Sequence, residues 1–172
     1  MAGGNVFFIA DMHFGDKSII DIEGRQFSTV QEMDETIINN WNKTVYKGDT
    51  IFILGDLTAY DKFKTSEIIK KLNGEKILVM GNHDTQTPQW YRECGFSQVI
   101  EYPVVYDNFW MLSHEPLYVN NNSPYANIFG HVHNNPMYKT VSTRSYCVSA
   151  ERIGYTPISF NDIQRAIKEC KD

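Results

Sequence analysis

Several things are scarce in this chain, and each scarcity removes a class of function. Cysteine occurs three times in 172 residues, at Cys94, Cys147 and Cys170. An odd number without paired metal-type spacing argues against a disulfide framework or a thiolate zinc site, and reads as reduced, packed thiols. Excess positive charge is missing: the formal net charge is −5. A basic nucleic-acid-binding face is therefore not expected. No apolar run approaches the roughly 18 residues that span a bilayer, and no signal-peptide pattern opens the chain, so the protein is expected to be soluble and cytoplasmic. Linkers, internal repeats and low-complexity tracts are also absent. The expectation is one domain over residues 1–172, long enough to bury a sizeable core. Residues 1–4 read as a flexible start or an added remnant, and the Asn-rich stretch at 120–122 as a flexible connection.

Histidine is scarce too, but its placement is informative. The five histidines are His13, His83, His114, His131 and His133. None falls in a predicted helix, and each lies just past a short apolar run. A lone histidine is usually a packed or surface residue; a set gathered at strand ends marks a site.

The order of elements follows from the hydrophobic pattern. Val6 to Ala10 is a continuous apolar run, as in a strand buried on both faces, and it leads into Asp11-Met12-His13. Ligands at i and i+2 of an extended segment share a side, so Asp11 and His13 are expected to grip one ion together. A helix follows, with Ser28 and Gln31 as its capping box and Val30, Met33, Ile37, Trp41 and Val45 as its apolar stripe. Glu32, Asp34 and Glu35 read as a solvated set favoured by the helix dipole.

The next strand, Thr50 to Leu54, delivers Gly55-Asp56. A helix over 63–72 is stopped by Asn73-Gly74, and the strand Lys76 to Met80 delivers Gly81-Asn82-His83-Asp84. A glycine at each break lets the backbone leave the strand sharply and approach an ion or phosphate. This alternation predicts a parallel sheet with right-handed crossovers, whose ligands gather beyond the carboxyl ends of the strands.

After a short helix at Trp90 to Glu93 the pattern changes. Strands are expected near 97–101, 103–106, 109–113, 127–130, 137–141 and 145–149, in an antiparallel or mixed arrangement. Asp107-Asn108 is the hairpin turn between the second and third. Ser159 and Asp162 cap a final helix with Ile163, Ala166, Ile167 and Cys170 on its apolar face.

The motifs in order are D-x-H at 11–13, G-D at 55–56, G-N-H-D at 81–84, the single His114, and G-H-x-H at 130–133. Each is weak alone. Together, each ending a strand, they make the chain resemble the calcineurin-like metallophosphoesterase superfamily from about residue 6 to 165. Asp11 to Asp16 and Ser28 to Trp41 look like its small bacterial and phage branch.

The resemblance implies an α/β fold, a four-layer α-β-β-α sandwich of two mixed sheets flanked by helices. It also implies two divalent ions, one held by Asp11, His13, Asp56 and His133 and the other by Asp56, Asn82, His114 and His131. Imidazole, carboxylate and amide ligands suit manganese foremost, with iron, zinc, cobalt or nickel as alternatives. The implied activity is hydrolysis of phosphodiester or phosphomonoester bonds in small, nucleotide-like substrates by a metal-bound hydroxide. His83 is expected to stabilise or protonate the leaving oxygen, with Asp84 orienting its imidazole.

The protein-phosphatase branch carries an arginine soon after G-D, whereas this chain has Leu57-Thr58-Ala59-Tyr60-Asp61. A phosphoprotein substrate is therefore not expected. Arg25, Arg92 and Arg144 read as solvated surface residues. Two rival readings are a non-catalytic scaffold, which would typically have lost ligands, and a nuclease, which would want a basic track. A membrane partner is not expected, and nucleic acid is disfavoured as a partner.

Overall fold

The computed structural model describes residues 4–120 and 122–170. The expectations for residues 1–3 and for Asn121 lie outside the described residues. Strand β1 (Val6–Ile9) is apolar on both faces because each face meets a different core. Phe7 and Ile9 point toward helices, while Phe8 and Ala10 point toward a second sheet, as the period of two requires. Strand β2 (Thr50–Leu54) and strand β3 (Glu75–Val79) repeat the division.

Between these strands run α1 (Lys17–Ile22), α2 (Val30–Thr44) and α3 (Lys62–Lys71), followed after β3 by α4 (Pro88–Cys94). Met33, Ile37 and Trp41 of α2 are fully buried in the helix-facing core. The α2 cap lies one residue later than expected. Thr29 accepts a hydrogen bond from Glu32 N at 3.1 Å, and the Glu32 carboxylate accepts from Ser28 N at 2.7 Å. A charged acceptor three residues past Thr29 makes the stronger box, and Ser28–Gln31 is displaced by it. Helix α1 has no counterpart among the expectations; its six residues are capped by Asp16, which accepts from Ser18 N at 2.9 Å.

The first sheet has the order β10-β1-β2-β3-β4, with β4 (Gln98–Ile100) and β10 (Ile158–Ser159) at its edges. Strands β1 to β4 are parallel, and β10 is antiparallel to β1. Strand β4 thus extends the parallel sheet instead of opening the second one, as its position after the expected Trp90–Glu93 helix had suggested. Helix α4 is the crossover that carries the chain back to that edge, starting at Pro88 and stopping at Gly95 with φ 116°.

The second sheet has the order β5-β6-β7-β9-β8. It consists of β5 (Val104–Tyr106), β6 (Trp110–Leu112), β7 (Ala126–Phe129), β8 (Val141–Ser142) and β9 (Ser145–Cys147). It is mixed: β5/β6 and β8/β9 are antiparallel, while β6/β7 and β7/β9 are parallel. Asp107 and Asn108 take φ of 49° and 55° in the β5–β6 turn, the left-handed pair that a tight hairpin favours.

The two sheets meet across a core of Phe8, Phe52 and Leu54 against Leu112 and Ile128. Helix α5 (Phe160–Glu169), capped by Ser159 with Asp162, adds the fully buried Ile163 to that core. The fold is two mixed sheets flanked by helices, as the motifs implied. The three cysteines are free thiols. Among the described residues no helix is long and apolar enough to cross a membrane.

Candidate metal centre

The carboxyl ends of β1, β2 and β3 and of β6 and β7 open onto one region, and every strand-end motif is delivered there. The delivery is not by extended backbone. Asp11, His13, Asp56, His131 and His133 all lie in the left-handed region, with φ of 58°, 51°, 56°, 70° and 44°. Each such residue costs on the order of 1–3 kcal/mol and persists only where its surroundings over-determine it. Asp11 and His13 therefore converge through two tight turns, and the extended i, i+2 argument gives way to this. What holds the turns is backbone pairing to the next loop: Asp11 N donates to Gly55 O and His13 N to Asp56 O, both at 3.0 Å.

The ligand-type atoms form two groups joined by aspartates. In the first, one ligand atom each from Asp11, His13 and His133 lie within 4.8 Å of one another. His13 Nε2 is buried without a hydrogen-bond partner and lies 3.5 Å from an Asp56 oxygen. In the second, His114 Nε2 is 2.8 Å from Asn82 Oδ1, 3.1 Å from His131 Nδ1 and 3.3 Å from Asp56 Oδ2. His131 Nδ1 is 3.0 Å from the same Asn82 oxygen. His114 Nδ1 is held by the Leu54 carbonyl at 2.8 Å, which turns Nε2 toward the group. Asp11 is near both groups, since ligand-type atoms of Asp11, Asp56 and His114 also lie within 4.8 Å of one another. All seven candidate ligands are thus brought to one place.

An orphaned buried imidazole nitrogen, and acceptor oxygens crowded against imidazole nitrogens, fit divalent cations as the missing partner. Glycine makes the crowding possible. A Cβ on Gly55 would come within 2.4 Å of His114 Nδ1, and one on Gly81 within 2.4 Å of Asp56 Oδ1.

His83 stands beside the site and is exposed. Its ring centroid is 5.3 Å from that of His13, and its backbone N–H donates to Asp56 Oδ1 at 2.9 Å. Asp84 differs from expectation. Its carboxylate accepts from the backbone amides of Asp56 (2.9 Å), Leu57 (3.1 Å) and Gly81 (2.8 Å). It clasps the G-D loop to the G-N-H-D loop instead of steering the His83 imidazole. The reason is positional: Asp84 N turns back to the Gly81 carbonyl at 3.2 Å, which brings the buried carboxylate onto those three amides.

Burial and neighbouring charge pull the titrating groups in opposite directions. Burial raises the Asp11 carboxyl above its ordinary range, against the pull of His114 and His133. Burial opposes ionisation of Asp56 as well, but the His114 and His13 imidazoles beside it outweigh that and hold the group well below the usual carboxylate range. Burial would lower His114, yet the Asp56 hydrogen bond and the charges of Asp11 and Asp56 raise it to about 9. Each partner thus favours the charged form of the other where no cation intervenes.

Several contributors are not visible from motif spacing. Arg25 is buried rather than solvated, 4% exposed. Its guanidinium bonds Glu151 Oε1, with Nε at 2.8 Å and Nη2 at 2.6 Å. The same oxygen meets His133 Nδ1 at 3.0 Å. Arg92 is exposed, as expected, while Arg144 is half-buried and donates to the Ser123 carbonyl at 2.6 Å. Asp34 is not part of a solvated helix face either: it accepts from Gly15 N at 3.2 Å and Tyr60 OH at 2.9 Å, bracing the loop after His13. A charged residue placed on the core-facing side of α2 was the one available signal for Asp34. Nothing in the local sequence singles out Glu151.

Comparison with known proteins gives concordant results. The family described as calcineurin-like phosphoesterase matches residues 4–169. An uncharacterised protein of Methanocaldococcus jannaschii is 34% identical over 179 residues, covering 99% of this chain and 96% of that one. The Gene 66 protein of Mycobacterium phage L5 is 33% identical over 87 residues, covering 49% of this chain and 42% of its own length. Among solved structures, a protein of unknown function from Aquifex aeolicus superposes with a TM-score of 0.72 at 27% identity, covering 94% of this chain and 98% of that chain. The nuclease MPE of Pseudomonas putida superposes with a TM-score of 0.52 at 22% identity, covering 74% and 60% respectively, and shares the fold.

Proposed function

The chain belongs to the calcineurin-like phosphoesterase family, and from that premise we propose that it is a two-metal phosphohydrolase acting on small, nucleotide-like phosphate esters. The observation that carries the proposal is the meeting of two groups of ligand-type atoms at Asp56, which lies 3.5 Å from His13 Nε2 and 3.3 Å from His114 Nε2. Asp11, His13 and His133 would hold one ion with Asp56, and Asn82, His114 and His131 the other. Two divalent ions there, manganese foremost, would supply Lewis-acid charge and an activated water for attack at phosphorus.

The chain's own groups supply the rest. Asp11 and Asp56 are the only carboxylates in the two ligand sets, so they leave the site with surplus positive charge and hence an affinity for phosphate. His83 is exposed, next to His13, and tethered through its backbone to Asp56. From that position it donates a proton to the leaving oxygen. The net charge of −5 favours a small ester over a nucleic-acid polymer.

The test combines elemental analysis of the purified protein with rates on p-nitrophenyl phosphate, bis-p-nitrophenyl phosphate, p-nitrophenyl phenylphosphonate and a nucleotide panel. About two ions per chain, with turnover of at least one ester, are expected. A fully metal-loaded protein that turns over none of them sinks the proposal.

A further inference from the structure

The Arg25–Glu151 pair lies behind the candidate centre. Its two side chains are among the least accessible charged groups of the molecule, at 0% and 1% exposure. Burying a charge pair is costly unless its geometry is good and its remaining donors are satisfied. Here the donors are used on the site itself. Arg25 Nη2 donates to the Asp11 carbonyl at 2.7 Å and Nη1 to the Met12 carbonyl at 3.0 Å. These carbonyls flank the left-handed turns of D-x-H. At the other end Glu151 Oε1 meets His133 Nδ1. The guanidinium also sits over the Tyr155 ring, 5.7 Å from its centroid.

We propose that Arg25 and Glu151 are positioning residues for one of the two ion sites, fixing His133 against the Asp11–Met12–His13 turn. Glu151 accepts the Nδ1 proton of His133, which fixes the tautomer and leaves Nε2 as the ligand atom. Arg25 neutralises Glu151, so that its charge does not add to those of Asp11 and Asp56. The same guanidinium pins the backbone that presents Asp11 and His13. One buried pair thereby registers two ligand segments lying 120 positions apart in sequence, a separation also bridged by the contact of His131 N with Asp11. Among the described residues the second group has no such ion pair behind it: His114 leans on the neutral Leu54 carbonyl, and Asn82 is exposed.

The inference rests on the reading that Asp11, His13 and His133 hold an ion, and the test separates the two. Calorimetric titration of the metal-free protein with Mn²⁺ resolves the two binding steps, and the melting temperature of each metal-free variant is recorded alongside. In Glu151→Gln, one step is expected to weaken by about 10–100-fold, the usual cost of losing such a partner behind a ligand, and the other to stay within about twofold. Arg25→Lys keeps the charge but cannot bond Glu151 and two carbonyls at once, so the same step should weaken. This variant carries the test if Glu151→Gln fails to fold. The double variant Arg25→Met/Glu151→Gln restores the charge balance and should remain weak at that step. His133→Ala serves as the control for the underlying reading.

If His133→Ala weakens one step while Glu151→Gln changes neither or both alike, the positioning role is wrong and the ion site stands. Recovery of affinity in the double variant assigns the pair to fold stability alone and also overturns the role. If His133→Ala leaves both steps intact, the underlying reading fails and the inference fails with it.

Discussion

The two groups of ligand-type side chains meet at one aspartate but are supported in different ways. Around Asp11, His13 and His133 the support is charged and buried, with Arg25 and Glu151 behind the histidine and the turn. Around Asn82, His114 and His131 it is neutral, with a backbone carbonyl behind His114 and solvent at Asn82. The difference follows from where each group sits. Both contain a buried histidine, His13 and His114, where an unpaired polar group is expensive and must be compensated. The second also reaches the surface at Asn82, where water can serve the same purpose. A site built in this way should have one well-organised half and one adaptable half.

The largest effect should come from removing the residue that both halves share. Asp56→Asn is expected to reduce ion content and activity to background together, measured by elemental analysis and ester hydrolysis. Retention of both ions would show that Asp56 does not join the groups.

Next in size is the group that touches neither half as a ligand. His83→Asn should leave ion content intact and slow the chemical step by about 10²–10⁴-fold for an alkyl or ribose leaving group. The loss should shrink with p-nitrophenolate, which departs without a proton. Equal losses for both esters would remove the acid role.

A smaller effect sharpens the contrast through pH. In the metal-free protein the Asp56 hydrogen bond and the charges of Asp11 and Asp56 raise His114 to about 9 against the effect of burial. Because the folded value lies above the ordinary one near 6.5, the stability from this pairing is fully present below about pH 6.5 and is lost as pH rises through about 9. A cation requires the neutral imidazole, so Mn²⁺ affinity at this half should rise over the same interval with release of protons. Titrations in buffers of different ionisation enthalpy measure that release, and a flat profile in the wild type would contradict it.

The smallest effect is on stability. Asp84→Asn puts an amide donor against backbone N–H groups that both carboxylate oxygens now accept. A loss of about 1–3 kcal/mol in urea unfolding is expected, with the metal-free protein as the sample. No change would mean that water replaces the clasp.

Much of this organisation can be read from the chain. Runs apolar on both faces, such as Ile51 to Leu54, specify parallel strands between two cores, and the glycine-broken ends beyond them locate the site. The legible part fails where a short element depends on a distant partner. The three residues of β4 are a strand only because β3 offers its edge, and the two of β10 only because β1 does. Asp34 looked like helix-surface charge because nothing nearby reveals that Gly15 and Tyr60 come to meet it.

By itself, then, the sequence determined the residue types of the site, the strands that carry them and the family to which the chain belongs, because periodicity and motif order are local properties. Tertiary structure alone decided how those residues are aimed. Five candidate ligands sit at positive φ, a conformation that no non-glycine residue prefers in isolation and that only surrounding contacts can impose. It also decided that Arg25 and Glu151 are buried partners rather than surface charges, since the free energy of a buried ion pair depends on two groups meeting out of water, and a linear pattern carries no record of that meeting.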